Sequence, residues 1–357
     1  MLGLREKLIK SLKDEVMFKM IYPKFLRKSG SIGVTAVSDG ITDSVKLYRL
    51  DNAISKFQDL GYSIIETSNV RSSCLGRSSA SDRQASFLMD LYLDDRVDVI
   101  ICASGGEFLL EMLPFVDFDV IRKNPKWLQG YSDPTGLLFT ITTNLDIATI
   151  YGSNFCVFGM KNWHKSCLDN LEILKGNIIS QESFDLYESG YLDYVVGDEE
   201  YNLDKEVNWE ILTNQDSVCC SGRMIGGCID ILNDLFGTRF DNTKNFINKY
   251  KSDGIIWYFD NCDLSSEQLI RTLWKFRDNG WFDGAKCIIF GRSAREESYC
   301  GISNKLALDH SLSSLNIPII MDVDIGHVAP RMTIINGAMA RIWCENGKGR
   351  IDFSLDE

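Results

Sequence analysis

The sequence predicts an α/β protein. A parallel-sheet N-terminal domain is followed by a second C-terminal domain of α/β or β-rich character, with an active site in the cleft between them. Three observations lead there. Short, continuously apolar runs alternate with segments whose apolar residues recur at helical spacing, as in a parallel sheet covered on both faces. The chain has 357 residues, a length that suits two domains. Several apolar runs end in Gly, Ser or an acidic residue, at the strand ends where open α/β sheets carry their ligand sites.

Residues 1–21 read as a helical extension. Its basic residues, Arg5, Lys7, Lys10, Lys13 and Lys19, continue into Lys24, Arg27 and Lys28, but Glu6, Asp14 and Glu15 interrupt them. That pattern fits a solvated helical face better than a membrane-surface helix. An N-terminal domain over 22–155 then reads strand (31–37), helix (45–60), strand (62–66), helix (80–93), strand (97–103), helix (108–115) and strand (124–130). Residues 156–215 are irregular and polar and read as a connecting region. A C-terminal domain over 216–357 has strands at 254–260, 285–291 and 317–323. Ser265 and Ser266 are caps for a helix that runs to Asn279.

Composition narrows the functional classes. Hydrophobic residues are 45% and charged residues 25%, enough apolar mass for an ordinary core. A net charge of -12 argues against nucleic acid as a partner, because a phosphate backbone needs a basic field. No apolar run approaches the ~18 residues that span a bilayer. The opening residues lack a signal-peptide core, so a cytoplasmic protein is expected. The 11 cysteines include no Cys-x-x-Cys and accompany only three histidines. They are expected to be reduced thiols, with no metal and no cofactor.

The residues able to do chemistry sit at strand ends. Gly130-Tyr-Ser-Asp-Pro-Thr135 puts Ser132 on a turn between a buried strand and a helix, with Pro134 near the first helical position. The N–H groups opening that helix can receive developing negative charge. His327, after the strand at 317–323, can accept a proton near neutral pH. His164 falls in the irregular region and His310 on a helix surface. A carboxylate must orient the imidazole. Asp260 ends an apolar strand, while Asp263, Glu267 and Asp324 compete for the role. Gly105-Gly106 closes the strand at 97–103 without a Gly-x-Gly-x-x-Gly or Walker pattern, and Glu107 would repel a phosphate. Trp163 and Trp209 could stack on a planar substrate group or simply anchor a loop.

Taken in order, these motifs resemble the LD-carboxypeptidase family (serine peptidase family S66). The resemblance is carried by Gly105-Gly106, Leu113-Pro114-Phe-Val-Asp117, Asn124-Pro-Lys126 and Gly130-Tyr-Ser-Asp-x-Thr135. It continues through Gly226-Gly227, Gly237-Thr238, Asn279-Gly280-x-Phe282, Ile288-Ile-Phe-Gly291 and Asp324-x-Gly-His327, and spans about Tyr22 to Ile351. The family includes murein tetrapeptide carboxypeptidases and microcin C self-immunity peptidases.

The resemblance implies Ser132 as nucleophile and His327 as general base. It puts Asp260 where the family has a catalytic glutamate, one methylene longer. It implies an oxyanion hole from the N–H groups of Gly106 and Asp133, and substrate contacts at Gly105 and Glu107. Murein-cleaving members tend to have Arg before the glycine pair and an aromatic-Gly stretch after it; this chain has Ser104 and Glu107-Phe108. The implied function is a serine carboxypeptidase that removes a terminal D-amino acid from muropeptides in cell-wall recycling. An immunity-type peptidase acting on aminoacyl-nucleotide antibiotics is the alternative, and an inactive ligand-binding homologue the second. The implied partner is a small peptide or peptidyl-nucleotide substrate, and a homodimer is a family-level expectation.

Overall fold

The computed structural model describes residues 19–190 and 194–355. Most of the extension expected at 1–21 therefore lies outside the described residues. The first strands appear where the apolar runs stand: β1 (Ser31–Thr35), β2 (Ser63–Glu66), β3 (Val97–Cys102), β4 (Trp127–Gly130) and β5 (Thr149–Tyr151). They pair in parallel in the order β5-β4-β3-β1-β2. Helices Ser44–Asp59, Ser81–Leu93 and Thr135–Leu145 alternate with them. The first is N-capped by Asp43, whose side chain accepts from the Val45 and Lys46 N–H groups. The segment expected as a helix at 108–115 is instead a 3-10 helix, Leu109–Phe115, with Pro114 inside it. Proline supplies no N–H to an α-helical ladder.

The stretch 156–215 is more ordered than its polarity suggests. It carries helix Lys165–Leu174 and strands β6 (Gln181–Glu182), β7 (Leu186–Glu188), β8 (Leu203–Glu206) and β9 (Glu210–Ile211). β7 and β8 pair with each other, while β6 and β9 edge the second sheet. Strands of two to four residues bury too few side chains to print an alternating pattern.

The second sheet is built on β10 (Ser217–Cys228), β11 (Ile255–Asp260), β12 (Ala285–Gly291) and β13 (Ile319–Val323), parallel to one another. Helices Ile229–Leu235, Thr243–Lys249, Ser266–Asp278 and Asn304–Leu312 accompany them. After β14 (Ile334–Asn336), strands β15 (Met339–Glu345) and β16 (Lys348–Ser354) extend the sheet in antiparallel order, giving β6-β16-β15-β10-β11-β12-β13-β9. Ser265 and Gln268 form the capping box of helix Ser266–Asp278.

Two features join the halves. β14 leaves the C-terminal region and pairs antiparallel with β5, at the edge of the first sheet. Helix Thr135–Leu145 is buried at every position but Asn144. A helix buried on every face must be covered on all sides. One cover is an aromatic stack: Phe139 lies 5.7 Å from Trp281, which lies 5.4 Å from Trp257. The carboxyl ends of β4, β5, β10 and β11 meet near the start of this helix, where Cys228 N–H donates to Thr135 Oγ1 and the Tyr151 hydroxyl lies between Ser132 N–H and Asp260. Among the described residues no helix is long and apolar enough to cross a membrane.

Candidate active site

Ser132 follows β4 by two residues and precedes helix Thr135–Leu145, with φ of +69°. The left-handed region costs a non-glycine residue roughly 1–2 kcal/mol. Here the turn is held by Thr135 N–H to Ser132 O (2.9 Å) and Gly136 N–H to Asp133 O (3.1 Å). The strain presents the hydroxyl outward at the head of the helix.

Asp260 is the last residue of β11, a strand buried along its whole length. His327 lies in the loop after β13 and is 7% exposed. Its Nδ1 is 2.6 Å from Asp260 Oδ2, and its backbone N–H donates to Oδ1 at 3.1 Å. Nε2 is 2.9 Å from Ser132 Oγ. A carboxylate can only accept, so in the neutral ring Nδ1 carries the hydrogen and Nε2 is left to accept from the serine hydroxyl. Burial disfavours the imidazolium, but the Asp260 carboxylate outweighs it and holds His327 well above the ordinary imidazole value of 6.5. Gly326, at φ +97°, makes the approach possible: a Cβ there would stand 2.0 Å from Asp260 Oδ1. Arg331 braces the loop, donating to Gly326 O (2.5 Å) and His327 O (3.2 Å) while stacking 4.3 Å over the Tyr131 ring.

The other expected positions fall around these three. Gly105 abuts the Ser132 side chain. Gly106, at φ +153°, has no room for a Cβ, which would stand 2.2 Å from Ser38 Oγ. The backbone N–H groups of Gly106 and Asp133 donate to no described residue. Glu107 is exposed at the rim. The Asp133 side chain has a function that its place in the motif did not reveal. Fully buried, it accepts from the Ser38 hydroxyl and from the Leu109 N–H (2.9 Å), tying the Ser132 turn to the glycine loop. Burial raises its pKa.

The competing residues are occupied elsewhere. Asp263 pairs with Arg295 at 3.0 Å, and Glu267 accepts from the Ser298 hydroxyl and Cys300 N–H. Asp324 is buried against Arg292 and also accepts from the Phe184 and Trp209 N–H groups. His164 caps helix Lys165–Leu174 by accepting from Ser166 N–H at 3.1 Å, and His310 is exposed on helix Asn304–Leu312. Trp209 is 2% exposed, and Trp163 donates to Phe158 O at 2.6 Å beside Phe57. Both therefore anchor packing. A small cavity beside His327 is walled by Tyr131, Glu188, Tyr201 and Arg331.

Sequence reasoning missed Tyr151. It ends a three-residue strand and carries no spacing signal, yet its hydroxyl donates to Asp260 Oδ2 at 2.7 Å. Cys228, at the end of β10, was also missed. With Asp260 and His327 it forms a group whose ligand atoms lie within 4.8 Å of one another, close enough to hold a metal ion. Its thiol already donates to Asp230 Oδ2 (3.2 Å), and burial raises its pKa well above the usual range. Nδ1 is likewise committed to Asp260.

Two family models match this chain: the LD-carboxypeptidase N-terminal domain over residues 32–152 and the LD-carboxypeptidase C-terminal domain over 221–342. A Bacillus subtilis protein named probable murein peptide carboxypeptidase is 23% identical over 328 residues, covering 91% of this chain and 92% of its own. The microcin C7 self-immunity protein MccF of Escherichia coli is 25% identical over 319 residues, 84% of this chain and 86% of its own. A solved structure of MccF in complex with aspartyl sulfamoyl adenosine covers 94% of this chain and 100% of its own at a TM-score of 0.78. With 20% identity, that likeness is one of fold.

Proposed function

The chain belongs to the LD-carboxypeptidase family, peptidase family S66, and from that premise we propose that it is a serine-type amide hydrolase working through Ser132, His327 and Asp260. The observation that carries this reading is the unbroken hydrogen-bond line from Ser132 Oγ through the imidazole to Asp260. Ser132 Oγ attacks the amide carbonyl carbon while His327 Nε2 takes the hydroxyl proton. The charge that develops on the carbonyl oxygen faces the N–H groups of Gly106 and Asp133. As the C–N bond breaks, the imidazolium returns its proton to the leaving amine. Water, deprotonated by the same nitrogen, then cleaves the ester and restores the serine. Asp260 keeps the hydrogen on Nδ1 and stabilises the transient imidazolium.

The proposed substrate is a muropeptide that loses its terminal D-alanine, as the name of the Bacillus subtilis relative suggests. A second reading, hydrolysis of an aminoacyl-nucleotide, is favoured by the fold shared with the MccF complex. A silent binding homologue would have no need of a serine, imidazole and carboxylate aligned at these distances. Mass spectrometry of a murein tetrapeptide incubated with wild-type protein and with Ser132→Ala tests the proposal. Loss of one D-alanine with the wild type alone is the expected result. Release that persists in Ser132→Ala refutes the nucleophile. No release by either, with cleavage of aspartyl sulfamoyl adenosine by the wild type, selects the second reading.

A further inference from the structure

Asp260 takes more hydrogen bonds than orienting a histidine requires. Oδ1 accepts the His327 backbone N–H, and Oδ2 accepts both Nδ1–H and the Tyr151 hydroxyl. Tyr151 comes from the other sheet. It ends β5, in register with Gly130, and is 1% exposed. Its phenolic oxygen also faces the backbone N–H of Ser132 at 3.4 Å. One hydroxyl thus touches both the acid and the turn that carries the nucleophile. The resulting chain runs from Ser132 N–H to Tyr151, to Asp260, to His327 and back to Ser132 Oγ.

We propose that Tyr151 is the positioning residue of this site: its hydroxyl holds the Asp260 carboxylate toward the imidazole and locks the acid, on one sheet, to the nucleophile turn on the other. The inference rests on the reading of Ser132, His327 and Asp260 given above. Without the hydroxyl, the carboxylate would keep only its two contacts to His327, Nδ1–H on Oδ2 and the backbone N–H on Oδ1, and its tie through Tyr151 to the Ser132 backbone would be lost. Burial and the neighbouring Asp260 push the phenol well above its ordinary pKa, so it remains a donor at every pH of interest. The titratable groups facing the pair are Cys228 from β10, Tyr258 from β11, Cys262 after β11 and Tyr131 after β4. Arg331 faces the His327 carbonyl. Burial raises the Cys228 and Tyr258 groups well above neutrality, so neither supplies a competing titration.

The test is Tyr151→Phe, followed by its pH profile. Removing a donor leaves the carboxylate more basic, and a more basic carboxylate favours the imidazolium. The acid limb of kcat/KM is expected to move up by about half to one pH unit. kcat should fall about ten- to a hundredfold, with KM within about twofold, because a positioning group acts on the transition state. In Asp260→Asn, the added Tyr151→Phe change should cost little more, since both act through one carboxylate. A purely structural tyrosine would lower activity in both backgrounds alike. If Tyr151→Phe does not fold, 3,5-difluorotyrosine at position 151 replaces it: a stronger donor should move the acid limb down. An unmoved limb with unchanged kcat, a loss confined to KM, or a shift of opposite sign overturns the proposal. Turnover that survives in Ser132→Ala refutes the parent reading. An inactive Ser132→Ala beside an unaltered Tyr151 variant refutes only the inference.

Discussion

Gly326→Ala should silence this enzyme while leaving it folded. The glycine is at φ +97°, and an added Cβ would stand 2.0 Å from Asp260 Oδ1 and 2.1 Å from its Cγ. Ordinary contact begins at 3.4 Å, so one partner must give by well over an ångström. Asp260 cannot, because its carboxylate is held by Tyr151 and His327, and its own Cβ, fixed on a strand paired with β10, would still stand 2.7 Å away. The His327 loop must move instead, breaking the 3.1 Å backbone bond to Oδ1 and pulling the imidazole from its 2.9 Å contact with Ser132. A misplacement of this size lowers rates by about a hundredfold. The left-handed conformation adds roughly 1–2 kcal/mol of lost stability. Gly284→Ala is the control: its φ is +73°, but nothing lies within 4 Å of the new Cβ. Thermal melting should show both variants lowered by a few degrees. Only Gly326→Ala should lose kcat/KM toward the proposed substrate. A folded Gly326→Ala protein with kcat/KM within about twofold of wild type would refute the reasoning.

Three more outcomes can be measured. Asp260→Asn should lower kcat about ten-thousandfold with little change in KM, because an amide donates to Nδ1 and so fixes the wrong tautomer; single-turnover kinetics reads this directly. In the proposed mechanism His327 must be unprotonated to work, and it is held well above 6.5, so kcat/KM should fall with decreasing pH through an acid limb lying above 6.5. A limb at or below that value contradicts the site's electrostatics. Asp324→Ala should cost about 3–5 kcal/mol in urea unfolding, because it leaves Arg292 buried without its carboxylate. It also orphans the Phe184 and Trp209 N–H donors. A change under about 1 kcal/mol would show that water or another group takes its place.

Much of the fold was legible because long elements print their periodicity. The strands at 31, 97, 255 and 285 and the helices at 44, 81 and 266 appear within a few residues of their apolar patterns. The short strands β6 to β9 did not, and neither did β10. Its run Cys219-Cys-Ser-Gly-Arg223 lacks branched side chains, yet it lies at the centre of the second sheet. Its partners supply the burial that its own composition does not advertise.

By itself, the sequence determined which side chains stand at strand ends. The turn at Ser132, the close of β11 at Asp260 and the loop at His327 each follow from local apolar runs and the residues that stop them. The local pattern alone left Asp260 level with Asp263, Glu267 and Asp324; the family resemblance singled it out, and the folded chain sets it against the imidazole. All four are acidic and near a strand end or the histidine, but Arg295, Ser298 and Arg292 hold the other three. Tyr151, Arg331 and the side chain of Asp133 were decided by tertiary structure alone. Each bridges segments far apart in the chain, Arg331 by its stack on Tyr131, and a hydrogen bond between 151 and 260 leaves no trace in the local pattern of either. Local physics sets where a strand ends. Only packing the two sheets on helix Thr135–Leu145 sets what its last residue meets.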